Sequence, residues 1–332
     1  MGAVFALVLL AAPPGAAERP IHRFQAALMG TTFHIAIADD VSPAMAQAAA
    51  GKAFTEVARV EAKTSEWRTD SEISAINRGA GEAPVVVSAE TIALVQRALR
   101  LAAASEGAFD ITWAALRGLW SFDPDHPRRP TEAALAAALA KVDYRRVVVD
   151  AEAKTVHLRD RGMALGLGAI AKGYGVDRAL LVLKQAGVAH AIVDGGGDLA
   201  VMGRPATTRP WTVGVQHPRG GPLMAQLPVE GGAVVTSGDY ERFFEVDGRR
   251  YHHLLDLRTG RPARASVAVT VRAPEATLAD ALSTAAFVLG PKRGLALIAR
   301  YPGVDIALFT PDGRVVTSPG LRAHFPPRWD GR

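Results

Sequence analysis

No cysteine occurs anywhere in the 332 residues. That absence excludes a disulfide framework, a thiolate metal site and a lipid-anchored cysteine. It leaves the compartment open, because a chain without thiols has nothing for an oxidising environment to oxidise. Aromatic residues are scarce as well, at 6%, so a core has to rest on Ala, Leu and Val. The net charge of +5 is dispersed, and no basic run marks a nucleic-acid patch. A mild positive balance suits either a solvated surface or attraction to an anionic ligand. There is no internal repeat. The dinucleotide-binding fingerprint and the phosphate-binding P-loop are both absent at their proper spacings.

What is present is an ordinary globular balance, 49% hydrophobic and 21% charged. The length suffices for one large domain or two lobes sharing a core. Residues 4–12 form an unbroken apolar run, too short for a comfortable membrane span. Pro13, Pro14 and Gly15 break it, and Ala16 and Ala17 precede the polar Glu18 and Arg19. The pattern is that of a signal peptide over 1–17, cleaved near Ala17, although no Lys or Arg follows Met1 to give the usual positive start. A plain apolar tail is the alternative.

Periodicity places a strand over 33–37 and a helix opening at Ser42-Pro43, with Met45, Ala49, Ala53, Val57 and Val60 along one stripe. A second helix follows Ser88 and stops at Gly107, and between them 64–81 reads as an ordered loop with a short helix. Further along come an Ala-rich helix over 131–141, a hairpin over 146–158, a helix over 171–187 and a strand over 190–193. From 211 to 271 the pattern is mainly β. A last helix runs over 275–289, closed by Gly290, before a hairpin turning at Asp312-Gly313. The mixture argues for an α+β or layered α/β fold. It is not a regular βαβ series, so a doubly wound nucleotide fold is discounted.

Several segments can carry chemistry. Asp280 and Thr284 lie four apart and share a helical face among the apolar Leu278, Ala281, Leu282 and Ala285. A carboxylate in such a setting needs a partner, and a hard cation is one. Taken alone the pair favours the plainer reading, a salt bridge to an arginine or a solvated stripe. Gly166, Gly168, Gly173 and Gly175 let the backbone approach a ligand ahead of a helix N-terminus, with Lys172 placed for a pyrophosphate. Gly195, Gly196 and Gly197 end a strand between Asp194 and Asp198, and are equally a tight turn. His252 and His253 are adjacent in a strand, so at most one faces a given site. A histidine near Asp256 can act as a general base, though lone histidines are more often structural. Trp67 and Trp120 are candidates for stacking on a ring system, and equally for plain packing.

The order of these segments is more telling than any one of them. MGTTF, SEWRTDSEISAIN, GAFDIT, LGAIAKGYGVD, VDGGGDL, VTSGDYERFF, YHHLLDLRTGRPA and ADALSTA, spread over about 28–289, together resemble the FAD:protein FMN transferase family, the ApbE-type proteins. The resemblance implies an α+β fold with mixed sheets, packed helices and two lobes around a flavin-nucleotide cleft, in one domain over 22–325. It implies an enzyme that binds FAD and Mg²⁺, cleaves the pyrophosphate, transfers FMN to a Thr or Ser of an acceptor flavoprotein as a phosphoester and releases AMP. Met29, Trp67, Ala108, Phe109, Asp110, Gly166, Lys172 and Leu254 fall at FAD-contact positions. The metal positions fall on the backbone oxygen of Ala169 and on Asp280 and Thr284, with Ser283 beside them. Asp280 is thereby catalytic, and His253 is the candidate for activating the acceptor hydroxyl.

Two departures stand out. The family usually has an Asp where this chain has Gly166, and a proline is common at the position of Leu257. Loss of the carboxylate leaves Asp194 or Asp198 to help hold FAD. The alternatives are an FAD pyrophosphatase giving FMN and AMP, a flavin-binding module with little catalysis, and, more weakly, a nicotinamide oxidoreductase, whose fingerprint the spacing does not supply. The expected acceptor is an exported or membrane-bound redox subunit. The expected location is the periplasm or the outer face of the inner membrane.

Overall fold

The computed structural model describes residues 19–206 and 209–330. The expected signal segment over 1–17 lies outside the described residues.

Six α-helices form among the described residues, four of them opened by a capping side chain. α1 (Pro43–Thr64) starts with the Ser42 hydroxyl accepting the Met45 amide and a proline in its first turn. α2 (Glu72–Arg78), α3 (Ala89–Ala104) and α4 (Glu132–Leu139) are capped in the same way by Ser71, Ser88 and Thr131. α5 (Ala171–Gln185) and α6 (Ala276–Ile298) have no side-chain cap of their own. α6 is broken at Gly290, whose φ of 72° and ψ of −176° leave the helical region, and resumes at Pro291. The stop expected at Gly290 therefore marks a break, with a further helical segment beyond it. Of the described helices, α6 alone is long and apolar enough to cross a membrane, yet it is largely buried within the fold.

Among the described residues, seventeen strands assemble around these helices. β1 (His22–Leu28) and β2 (Thr31–Ile37) form a hairpin through Met29 and Gly30, both at positive φ. β1 was not expected from the sequence, because its burial alternates only between half-buried and exposed positions. β3 (Val85–Val86), β4 (Val147–Asp150) and β5 (Thr155–Leu158) make a small sheet in the order β3-β5-β4. The others are β6 (Ala191–Gly195), β7 (Asp198–Met202), β8 (Trp211–Val215), β9 (Ala225–Val229) and β10 (Gly231–Gly238). After them come β11 (Phe243–Val246), β12 (Arg249–His252), β13 (Leu255–Asp256), β14 (Arg261–Pro262), β15 (Ala268–Ala273), β16 (Asp305–Phe309) and β17 (Val315–Thr317). The central sheet has the order β1-β2-β6-β7-β10-β15-β16-β17, antiparallel throughout.

The two faces of this sheet are read off the strand alternation. Phe33, Ile35 and Ile37 of β2, Ala233 and Val235 of β10, and Val269 and Val271 of β15 join the core beneath α1, α5 and α6. Ala36, Val234 and Ala268 point the other way, to a second core closed by Trp211, Val213 and Val215 of the β8-β9 hairpin and by Leu321. The architecture is therefore layered α+β, as expected.

α5 and α6 are fastened by an exchange of caps. Asp177 on α5 accepts the Ala276 and Thr277 amides at the start of α6, both at 2.8 Å, and the Thr277 hydroxyl besides. Asp280 on α6 accepts the Gly173 amide at the start of α5, at 3.1 Å. The helices touch where this occurs: a β-carbon on Gly173 would lie 2.3 Å from the Ala276 carbonyl oxygen, so only glycine fits. Asp177→Ala strands three donors at a buried helix start and should cost on the order of 2–3 kcal/mol. Asp177→Asn, which keeps an acceptor oxygen, should cost less. Urea unfolding measures both, and an unchanged midpoint for Asp177→Ala would rule out this role.

Candidate active site

The exchange of caps delivers charged groups to one place. Lys172, at the start of α5, has its ammonium 2.7 Å from Asp198 Oδ2 at the start of β7. Asp198 is 2% exposed and Asp280 4%. Burial and the neighbouring Asp198 push the Asp280 carboxyl well above its ordinary range, while Lys172 and the Gly173 amide oppose the shift. For Lys172, burial works against the charge, but Asp198 and Asp280 outweigh it and hold the proton more tightly than usual. Glu241 joins this group from the loop after β10. Its side chain reaches solvent, yet surrounding protein pushes its carboxyl up to about 7, with Lys172 opposing and Asp198 adding to the shift. Asp194, buried and raised to about 6, accepts the Gly197 amide at 2.8 Å. It serves the turn between β6 and β7.

The remaining α6 candidates lie within a turn of Asp280. The Ser283 hydroxyl is fully buried, donates to the Asp280 carbonyl at 2.9 Å and sits 2.8 Å from the Ser237 hydroxyl of β10. It faces the sheet. Thr284 is half-buried, and Ala169 stands two residues before α5. Among the described residues, no three His, Cys, Asp or Glu side chains group as a metal site. Asp198 and Asp280 form a pair.

A second wall is built on the loop over 165–169. Asn77 grips Leu165 through both its backbone groups, at 2.6 and 2.9 Å. The Gly166 amide donates to the Ile111 carbonyl at 2.8 Å. The Glu66 carboxyl is buried against this loop, raised by that burial and held back by the Leu167 backbone. Arg117 donates to the Glu66 carbonyl and lies over the ring of Trp67, which is 72% exposed. Phe109 is buried. Asp110 caps the 3-10 helix Ile111–Leu116 and is saturated by the Thr112 amide and hydroxyl and the Tyr144 amide. What the 108–110 turn offers a ligand is its backbone and the half-buried Ala108. Trp120 is a packing residue: it donates to the Gly260 carbonyl at 2.9 Å and stacks on Phe122.

The two histidines divide their roles. His252 is buried, with Nε2 2.9 Å from the Ala263 carbonyl and its ring edge-on to Phe287. Burial pushes it down to about 4. The His253 amide donates to the Arg242 carbonyl at 3.1 Å, and its ring Nδ1 is buried without a protein partner. Burial, then Arg242 and His252, push it down to about 3, and the Lys172 charge acts on it as well. It is a neutral imidazole with an unfilled position. Leu254 beside it is buried and accepts the Ala263 amide at 2.9 Å. Met29 reaches α5 from the hairpin turn: its sulfur would lie 3.0 Å from a β-carbon on Gly175. It borders an open hollow of about 420 Å³ that Glu61 also lines.

An acid-rich centre at a helix N-terminus, on an antiparallel sheet with helices over one face, defines a class of fold shared with solved proteins. The crystal structure of the ApbE protein of Thermotoga maritima is 32% identical, covers 92% of this chain and all of its own, and superposes with a TM-score of 0.84. The apo form of the flavinyl transferase ApbE of Pseudomonas stutzeri is 31% identical, with coverage of 91% and 95% and a TM-score of 0.78. The ApbE family model matches residues 29–308. A protein of Treponema pallidum named FAD:protein FMN transferase is 40% identical over 310 residues, 89% of this chain and 86% of its own. One of Klebsiella pneumoniae with the same name is 32% identical over 313 residues. The chain belongs to the ApbE family.

Sequence reasoning missed Glu241, Glu66 and Asp177. Asp177 had a visible signal, since neither α5 nor α6 begins with a good capping residue. The others become site residues only through contacts more than forty residues apart in the chain. His252 gives a pH test with a clear sign. Its folded pKa of about 4 lies below the ordinary value near 6.5, so the unfolded chain binds the extra proton between those pH values. Stability contributed by neutral His252 is complete above about pH 6.5 and is lost as pH falls towards 4. The buried carboxyls raised in the folded state act in the opposite sense, so the comparison is with a variant. His252→Asn should flatten the acid loss by up to about 3 kcal/mol, read from urea midpoints between pH 4 and 7. Parallel profiles for the two proteins would refute it.

Proposed function

We propose that this chain is an FAD:protein FMN transferase that moves FMN from FAD to a Thr or Ser hydroxyl of an acceptor flavoprotein and releases AMP. The observation that carries the reading is the meeting of Lys172, Asp198 and Asp280 at the α5 N-terminus, in a chain whose relatives bear that name. Helix amides and a lysine are suited to a pyrophosphate. Carboxylates beside them would repel it, unless a cation stands between.

The donor chemistry fits Mg²⁺. Burial and the nearby Asp198 hold the Asp280 carboxyl above its ordinary range, which a cation would relieve, and hydroxyl and carbonyl oxygens from Thr284 and Ala169 complete a hard-oxygen set. We assign Asp280, Thr284 and the Ala169 backbone oxygen to the ion, with Ser283 bracing Asp280 from the sheet. When bound, Mg²⁺ supplies charge neutralisation at the pyrophosphate oxygens. Lys172 binds the phosphates, and Trp67, Met29 and the 108–110 turn border the nucleotide. The acceptor hydroxyl oxygen forms a bond to the FMN phosphorus as the bond to the AMP oxygen breaks. Its proton passes to His253, and AMP leaves as the phosphate. Export to the periplasm or to the outer face of the inner membrane belongs to the same proposal, supported by the 1–17 pattern. So do the single domain over 22–325 and an exported or membrane-bound redox partner.

The test mixes the protein with FAD and an exported redox subunit carrying a Ser/Thr-Gly-Ala-Thr segment, with and without Mg²⁺, and takes the subunit's intact mass. A Mg²⁺-dependent gain of FMN minus water is expected. Free FMN and AMP with no gain would replace the transferase by a pyrophosphatase. Asp280→Asn should slow transfer on the order of a hundredfold or more, and unimpaired turnover in that variant would remove Asp280 from the mechanism.

A further inference from the structure

Trp113 has no part in the chemistry above, yet its place is unusual. It lies on the 3-10 helix Ile111–Leu116, and its indole N–H donates to the Gly166 carbonyl at 2.9 Å. A β-carbon on Gly166 would lie 2.9 Å from Cε2, Cζ2 and Nε1 of the indole. The ring therefore fills the space that a side chain at position 166 would take. The ring itself is half-buried. The loop it covers runs directly into the N-terminus of α5, three residues short of Ala169. On the same loop, a β-carbon at Gly168 would lie 3.9 Å from the Glu66 carboxyl, and Arg117 links the Glu66 backbone to the exposed Trp67. Trp113 and Glu66 thus pack on one loop that leads into the α5 N-terminus.

An indole whose only donor is satisfied inside the protein has just its π-face and ring edge left to offer. It cannot select a ligand by hydrogen bonding. It can select one by stacking on a flat ring. We propose that Trp113 is a nucleotide-binding residue that stacks on a heteroaromatic ring of the dinucleotide, its indole held beside the 165–169 loop because position 166 has no side chain. The inference rests on the FAD reading above. The ring is the adenine or the isoalloxazine, which share this chemistry.

Equilibrium dialysis of the parent, Trp113→Leu and Trp113→Phe against FAD, ADP and FMN tests it, with thermal unfolding of each protein alongside. Trp113→Leu keeps apolar bulk without a ring and should weaken FAD binding roughly tenfold. Trp113→Phe keeps a ring but loses the N–H, and should stay within roughly threefold of the parent. Weakening carried over to ADP and not FMN assigns the adenine, and the reverse assigns the isoalloxazine. Parent-like binding by Trp113→Leu overturns the proposal. So does an equal loss in both variants, which would make the indole N–H a brace for the loop. A parent that binds none of the three ligands overturns the flavin reading itself, whereas binding that ignores position 113 overturns only the stacking.

Discussion

Everything assigned to the site depends on two helices that start at the same point and cap one another. α5 and α6 each begin without a capping side chain of their own, and each takes a carboxylate from its neighbour. A helix start has amides with no internal partner and a partial positive charge. Meeting that need from the other helix fixes the separation, the rotation and the offset of the pair at once. Asp177 makes three such bonds and holds the frame. Asp280 makes one, which leaves most of its acceptor capacity directed elsewhere. The first is a structural cap. The second is a cap with chemistry to spare.

The electrostatics follow from that placement. Around Lys172 stand Asp198, Asp280 and Glu241, so one positive charge faces three carboxyls. Lys172 pairs with Asp198, while Asp280 and Glu241 hold protons more tightly than free carboxyls do. A centre of this kind is poorly suited to a bare pyrophosphate and well suited to a pyrophosphate carrying a divalent ion.

Much of this was legible in the sequence. The hydroxyl residues at 42, 88 and 131, the proline at 43 and the glycine at 107 set helix limits close to those observed, because capping is a local interaction. The period-2 alternation in β2, β8 and β15 was visible for the same reason. Lys172, Asp280 and His253 were singled out because they sit in motifs whose order resembles a known family. What escaped was non-local. β1 has no strong alternation, since one face lies against α1 and the sheet edge is wet. Glu66 and Trp113 gain their meaning from a loop about 50 to 100 residues further on. Ser283 read as a metal neighbour, and only the register of β10 shows its hydroxyl turned towards Ser237.

The sheet order has a consequence for how the chain reaches this state. β2 ends at Ile37 and its inner neighbour, β6, begins at Ala191, so the β1-β2 hairpin has an open inner edge while some 150 residues are added. Closing the middle of the sheet then waits for β15 to join β10, across another stretch that includes two separate hairpins. The charged centre needs both events, because Lys172 arrives before the first is complete and Asp280 only after the second. Assembly of the centre is therefore a late step in maturation, and a chain interrupted before about residue 280 lacks both α6 and the carboxylate it brings to the centre.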